Sequence, residues 1–280
     1  MIHSDWHIHT TASYDAALPI EELIRSARAQ GLRCIGVTDH LNYNDEKFRA
    51  NLRESAENYK KIAASAPEVV LGVELTPIAR PYYDYIARTG TREGYVPPVQ
   101  DEPYAIDLPA TKEELVALGV RYSVGASHWR VDVGDILKED SAEVLVNEWF
   151  RQQMWLAQDE RVTILGHPWN AGHAVWYDDF SIVPWSMHEE LAAALKENGK
   201  YVECNVSFFR SAKTSERFRN RYAEMLRMFY EKGIPITYGS DCHGKPDGLY
   251  PDRREDAVRY LSTVGFKDGD FSELAEKDLW

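Results

Sequence analysis

The sequence is short of cysteine, of positive charge and of long apolar runs, and each shortage excludes something. Its three cysteines, Cys34, Cys204 and Cys242, are odd in number and form no CxxC pair. They read as reduced thiols, not as a disulfide framework. Lysine and arginine total 32 against 45 aspartates and glutamates, a net charge of −13. A chain this acidic has no global attraction for double-stranded nucleic acid or an anionic membrane, which need a basic surface. No stretch approaches the ~18–20 apolar residues of a membrane span. The start, Met1-Ile2-His3-Ser4-Asp5, lacks the basic and apolar regions of a signal peptide. A cytoplasmic location is therefore expected. No GxGxxG follows the first apolar run, which weakens a dinucleotide-binding reading. There is no internal repeat, low-complexity tract or Ser/Gly linker, and nothing specifies an assembly with other chains. One domain over residues 1–280 is expected.

What is present is alternation. Short β-branched or aromatic runs at Ile2–His9, Cys34–Thr38, Val69–Glu74, Tyr122–Ala126, Val162–Leu165, Tyr201–Asn205 and Ile234–Tyr238 read as buried parallel strands. Amphipathic segments between them read as helices: Pro19–Gln30, Glu46–Ser65, Ser141–Gln158, Ser186–Asn198, Ser215–Lys232 and Asp252–Ser262. Strand followed by helix, seven times, argues for right-handed crossovers and a parallel sheet. The expected fold is α/β, a distorted seven-stranded (β/α)7 TIM-like barrel, with an open doubly wound sheet as the alternative. Two stretches break the rhythm and are expected to be loop insertions, near 77–110 and 169–185.

The chemistry gathers at the strand ends. The first strand ends in His7-Ile8-His9, the second in Asp39-His40 and the third in Glu74. The fourth ends in Ser127-His128, the fifth in Gly166-His167-Pro168, the sixth in Glu203-Cys204-Asn205 and the seventh in Ser240-Asp241-Cys242-His243. C-terminal strand ends converge on one face of a barrel, so these residues are expected neighbours. His7-x-His9 and Asp241-x-His243 each place two ligands on one side of a strand. Imidazole and carboxylate donors suit Zn²⁺, Mn²⁺ or Fe²⁺. Glu74 offers two oxygens, enough to bridge two ions. Asp15, read alone, is a loop acid or helix cap.

In this order the motifs HxH, TDH, GxE, SxH, GHP and SDxH resemble those of the PHP (polymerase and histidinol phosphatase) domain family, metal-dependent phosphoesterases on a seven-stranded barrel. The resemblance runs from His7 to His243. It implies two or three divalent metal ions. His7, His9, Glu74 and Asp241 would hold one, Glu74, His128 and His167 a second, and Asp15, His40 and His243 a third. It also implies hydrolysis of a small phosphorylated substrate by a metal-bridging hydroxide, with histidinol phosphate among the family's substrates. His243 or Asp15 would assist the leaving oxygen. Arg130 and Arg210 are candidates for phosphate contacts, or else surface arginines paired with acids.

Other readings stay open at this level. An amidohydrolase-type metallohydrolase also uses HxH on its first strand, but the fourth strand here offers no lysine. A non-catalytic module of a replication machine fits poorly with a full ligand set, and a phosphodiesterase or nucleotide hydrolase of the same fold remains an alternative. Asp39 is expected beside the ligands and not among them. Asn205 either orients a ligand or makes a structural bond. Trp129, Trp169 and Trp176 either wall a pocket or pack loops. His3, His173 and His188 match no motif, and Cys242 is expected to face the core.

Overall fold

Each of the seven expected strands forms, and together they curve into a barrel. The computed structural model describes residues 2–170, 175–244 and 254–280. The strands of its main sheet are β1 (Ser4–Ile8), β2 (Cys34–Val37), β3 (His40–Leu41), β4 (Val69–Leu75), β7 (Tyr122–Gly125), β8 (Ile164–Leu165), β9 (Tyr201–Asn205) and β10 (Ile236–Gly239). Between β4 and β7 lies a small pair, β5 (Ile78–Ala79) and β6 (Ile106–Asp107). The main path runs β1-β2-β4-β7-β8-β9-β10, with β3 pairing β4 beside β2. Every pairing along it is parallel. The register sets His40 opposite Glu74 and Glu74 opposite Val124.

The two edges meet with a partial ladder. The Asp241 N–H donates to the His7 carbonyl at 2.8 Å, and the His9 N–H to the Cys242 carbonyl at 2.9 Å. The buried Asp5 carboxylate accepts the Ser240 N–H at 3.0 Å. Closure therefore falls on the first and last strands, the two that carry HxH and DxH.

The helices are α1 (Ile20–Ala29), α2 (Glu46–Ile62), α3 (Arg80–Thr89), α4 (Lys112–Ala117), α5 (Ala142–Gln158), α6 (Trp185–Glu197), α7 (Ser207–Arg210), α8 (Glu216–Glu231) and α9 (Arg254–Thr263). Their starts follow side-chain capping. Asp45, Ser141 and Ser215 accept the N–H three residues on and cap α2, α5 and α8. Gly31, Gly199 and Gly233, which directly follow the expected helices Pro19–Gln30, Ser186–Asn198 and Ser215–Lys232, all have positive φ, of 73°, 62° and 86°. The apolar faces of α2, α3, α5, α6, α8 and α9 pack in one large buried cluster, and that of α1 in a second with Ile8, Ile35 and Val37.

The barrel interior is filled below the strand ends. Tyr122 is fully buried with Trp6, Val124 and Ile164. Its hydroxyl donates to the Trp6 carbonyl at 2.8 Å. The ring has room because β2 and β4 present glycines. A Cβ on Gly36 would lie 1.8 Å from the Tyr122 hydroxyl, and one on Gly72 would lie 2.6 Å from the ring.

The first of the two insertions differs from expectation. The 77–110 stretch is no bare loop: it holds α3 and the antiparallel pair β5–β6. Its helix was missed because its buried face, Tyr82 and Ile86, uses a tyrosine where an aliphatic residue marks a helix more plainly. Tyr95 stacks on Tyr82 with ring centroids 4.1 Å apart. In the 169–185 stretch Trp169 and Trp176 are fully buried. Trp176 donates from Nε1 to the Trp169 carbonyl at 2.8 Å, so these two rings pack the loop and line no pocket. His173 lies outside the described residues.

Candidate metal centre

The C-terminal ends of the strands bring nine side chains to one place: His7, His9, Asp15, His40, Glu74, His128, His167, Asp241 and His243. Glu74 is the hub. It is fully buried on β4. Its Oε1 lies 2.9 Å from His167 Nε2, 3.2 Å from His128 Nε2 and 3.5 Å from His7 Nε2. Its Oε2 lies 3.7 Å from His9 Nε2 and closely abuts His40 Nδ1. Asp241 Oδ1 sits 3.3 Å from His9 Nε2 and 3.7 Å from His7 Nε2. Asp15 reaches His40 Nε2 at 3.4 Å and His243 Nε2 at 3.6 Å. It lies at the rim, where its side chain is 37% exposed.

Four of the histidines are oriented by a hydrogen bond at Nδ1. His7 donates to Glu203 Oε1 at 2.9 Å. His9 faces Ser13 Oγ at 3.2 Å, and that hydroxyl gives its own proton to Asp39 at 2.8 Å. His128 faces Thr76 Oγ1 at 2.9 Å, and Thr76 donates to Asn42 Oδ1 at 2.7 Å. His243 donates to the Asp241 carbonyl at 3.0 Å. In each case the contact at Nδ1 holds the ring so that Nε2 points into the cluster.

This arrangement fits cations and little else. His7 Nε2 and His9 Nε2 stand 3.1 Å apart, and His40 Nε2 and His243 Nε2 stand 3.2 Å apart. Two ligands about 2.1 Å from one tetrahedral ion are roughly 3.4 Å apart, close to these separations. His40 Nδ1 and Glu74 Oε2 abut each other, and the buried His167 Nδ1 has no hydrogen-bond partner among the described residues, a costly state for that group. Three sets of donor atoms are close enough to share an ion: His7, Glu74 and His167; His7, His9 and Asp241; and His9, His40 and His243. In the last set His9 joins the pair that the family resemblance assigned to Asp15, which approaches from the rim.

Charge follows the same map. Burial raises the Glu74 carboxyl, but His40, His128 and His7 outweigh it and hold the group well below its ordinary range. Asp241 is likewise held low against burial, by His7, His9 and His243. Burial lowers His40, but Glu74 and Asp15 override it and lift the group to about 10. His9 is driven well below its ordinary value by burial and by the like charges of His40 and His243. The carboxylates thus stay ionised, ready to hold a cation.

Backbone strain appears at the same spots. His167 and Asp241 have φ of 22° and 50°, in the left-handed region that residues with a Cβ seldom adopt. Each is pinned by its own N–H: His167 donates to Glu203 Oε2 at 2.5 Å, and Asp241 to the His7 carbonyl.

Glu203 is the functional residue that sequence reasoning passed over in favour of Asn205. It is almost fully buried, orients His7, pins His167 and accepts from Asn205 Nδ2 at 3.3 Å. Asn205 also donates to Asp241 Oδ2 at 3.2 Å, so it orients a ligand. Asp39 stands beside the cluster as expected, accepting from Thr10, Ser13 and Ser55. Cys242 is buried in the apolar cluster that contains Ile8 and Leu18. Trp129 stacks on Tyr43 at 5.4 Å and lies 5.5 Å from the His128 ring.

The two arginines are occupied elsewhere. Arg130 pairs with Asp132 at 2.7 Å and Asp140 at 2.5 Å. Arg210 pairs with Asp256 at 3.2 Å. The geometry gives both the surface-pair role, not a place in the cluster.

Comparison with known proteins agrees with this picture. The family model described as "PHP domain" matches residues 5–207. A probable phosphatase of Acetivibrio thermocellus is 25% identical over 251 residues, covering 88% of this chain and 83% of that protein. A probable phosphatase of Thermoanaerobacter sp. (strain X514) is 27% identical over 266 residues, covering 93% of this chain and 86% of its own length. Among solved structures, histidinol phosphate phosphatase from Lactococcus lactis, complexed with zinc, L-histidinol and phosphate, superposes with a TM-score of 0.65. Identity there is 19%, over 95% of this chain and 94% of that one, so the likeness speaks to the fold.

Proposed function

The chain belongs to the PHP domain family, and from that premise we propose that this phosphatase hydrolyses a small phosphomonoester, with histidinol phosphate the first candidate, using two or three divalent ions. The observation that carries the reading is the set of Nε2 atoms of His7, His9, His128 and His167 turned toward the buried Glu74 carboxylate. The Lactococcus lactis neighbour, complexed with zinc, L-histidinol and phosphate, supports both the metal and the substrate class. The relatives' names support the reaction.

His7, His9, Glu74 and Asp241 would hold one ion, Glu74, His128 and His167 a second, and Asp15, His40 and His243 a third. Bound there, such ions lower the pKa of water and neutralise phosphoryl charge. The chain's own contribution is placement. Glu203, Ser13 and Thr76 fix the imidazoles in one tautomer, which saves reorganisation on binding. The walls beneath, closed by Tyr122, exclude water from the inner side. Asp15 and His243, the more exposed members, face the side from which substrate enters and are the groups available to supply a proton to the leaving oxygen. Arg130 and Arg210 join only if they exchange their acid partners for phosphate.

The three cysteines are free, which supports a reducing, cytoplasmic setting. No helix among the described residues is long and apolar enough to cross a membrane.

The test is phosphate release from a panel of monoesters, including histidinol phosphate and nucleoside monophosphates, after chelation and after restoring Mn²⁺ or Zn²⁺. Release only with metal is expected, and His40→Ala should abolish it. Equal release in chelator would overturn the metal-cluster mechanism.

A further inference from the structure

An exposed aromatic ring stands at the mouth of the cluster. Tyr14 is 52% exposed, and no other aromatic is among the exposed large hydrophobic residues described. The exposed apolar residues elsewhere, such as Val96, Val99 and Val116, are aliphatic. Tyr14 immediately precedes Asp15. Its ring stacks beside His40, with centroids 5.5 Å apart and an interplanar angle of 30°. It meets Phe48 edge-on at 5.7 Å. Asp15 and Asn42 lie close enough to its hydroxyl to act on it. The tyrosine is thus flanked by two rings and still presents half its area to solvent.

Among the described residues Lys47 also lies over this ring, its Nζ 5.7 Å from the centroid. Lys47 is itself exposed. A contact of that length on a flexible, hydrated side chain is weak and readily displaced. The ring is therefore an exposed π surface beside a proposed metal ligand, with a displaceable group over it.

We propose that Tyr14 is a specificity-determining residue: its ring is a platform for a planar, aromatic or heteroaromatic leaving group of the phosphomonoester. This rests on the phosphatase reading above. A phosphoryl group drawn to an ion held by Asp15, His40 and His243 would place the group esterified to it near the rim, where the exposed Tyr14 ring stands beside His40. Offset stacking of two rings adds to what burial alone gives. A saturated ring of the same size gains the burial and forgoes the stacking.

The test compares benzyl phosphate with cyclohexylmethyl phosphate on the metal-loaded protein. Both release a primary alcohol, so they differ chiefly in planarity. The wild type should show the lower KM for benzyl phosphate. Tyr14→Leu should raise that KM roughly 2- to 10-fold and leave kcat and the cyclohexylmethyl KM nearly unchanged. Tyr14→Phe should keep the preference, which separates the ring from its hydroxyl. If Tyr14→Leu alters both substrates equally, or acts on kcat alone, the platform is overturned. If the wild type hydrolyses neither ester, the panel of monoesters above still judges the phosphatase reading, and the platform is judged on binding alone. Calorimetric titration with benzylphosphonate and cyclohexylmethylphosphonate then decides it. A planar preference lost in Tyr14→Leu upholds the platform, and equal affinities in wild type and variant reject it.

Discussion

At the scale of single residues, the informative carboxylates are those that never face the substrate. Glu203 orients one histidine and pins the backbone of another. Replacing it with Gln keeps the shape and removes the charge that fixes the His7 tautomer. Metal affinity should fall about 10- to 100-fold, measured by competition with a chromophoric chelator, while the melting temperature in excess chelator changes little. Unchanged affinity would reduce Glu203 to a packing residue. Its role was half legible. Alternation along β9 puts Glu203 on the same side as Asn205, and a buried carboxylate needs a partner, but which histidine it meets depends on how the strands are staggered. His188 makes a second case. It is fully buried among Trp169, Phe180 and Trp185. Neither ring nitrogen has a partner. Burial, then the charge of Arg221, lowers its pKa to about 3. The folded protein keeps it neutral while the unfolded chain protonates it near the ordinary value, so its contribution is complete above pH ~6.5 and is lost as pH falls toward 3. Denaturant titrations in chelator at pH 7.5 and 5 should show the wild type losing stability at up to about 1.4 kcal/mol per pH unit more steeply than His188→Phe. Parallel slopes would remove His188 from the acid response.

At the scale of elements, strands and helices were legible where physics acts locally. β-branched runs gave the barrel strands, and glycine stops with positive φ gave the ends of α1, α6 and α8. What escaped was structure whose apolar face is built from tyrosine, as in α3, or whose pairing partner is distant, as in β5 with β6. The interior was also unreadable. Nothing in Gly36 or Gly72 announces that both make room for one ring from β7. Gly36→Ala should drive a methyl into Tyr122 and toward the Trp6 backbone, where the nearest atoms are 3.0 Å away. A loss of about 1–3 kcal/mol in chemical denaturation is expected. The double variant Gly36→Ala/Tyr122→Phe should recover part of it by removing the hydroxyl that collides. No recovery would mean that the Trp6 backbone is the obstacle.

At the scale of the whole molecule, the net charge of −13 and the concentration of ligands at one end make stability depend on what the cluster holds. A ligand that binds only the folded state stabilises it by about 4 kcal/mol at a thousand times its dissociation constant. For a chain of this size that is roughly 10 °C in melting temperature. Scanning calorimetry with and without chelator should show that difference, and it should shrink in Glu74→Gln. Identical melting curves would mean that the cluster is not a binding site.

The barrel seam carries a further consequence. Its two sides are β1 and β10, so His7 and His9 meet Asp241 and His243 only where the beginning of the barrel joins its end. A nascent chain carries His7 and His9 well before the seventh barrel strand exists, and it cannot complete the cluster until that strand has been translated and has docked. Any ion the cluster holds would have to wait for that docking, and a chain truncated before Asp241 would lack both the seam and the cluster.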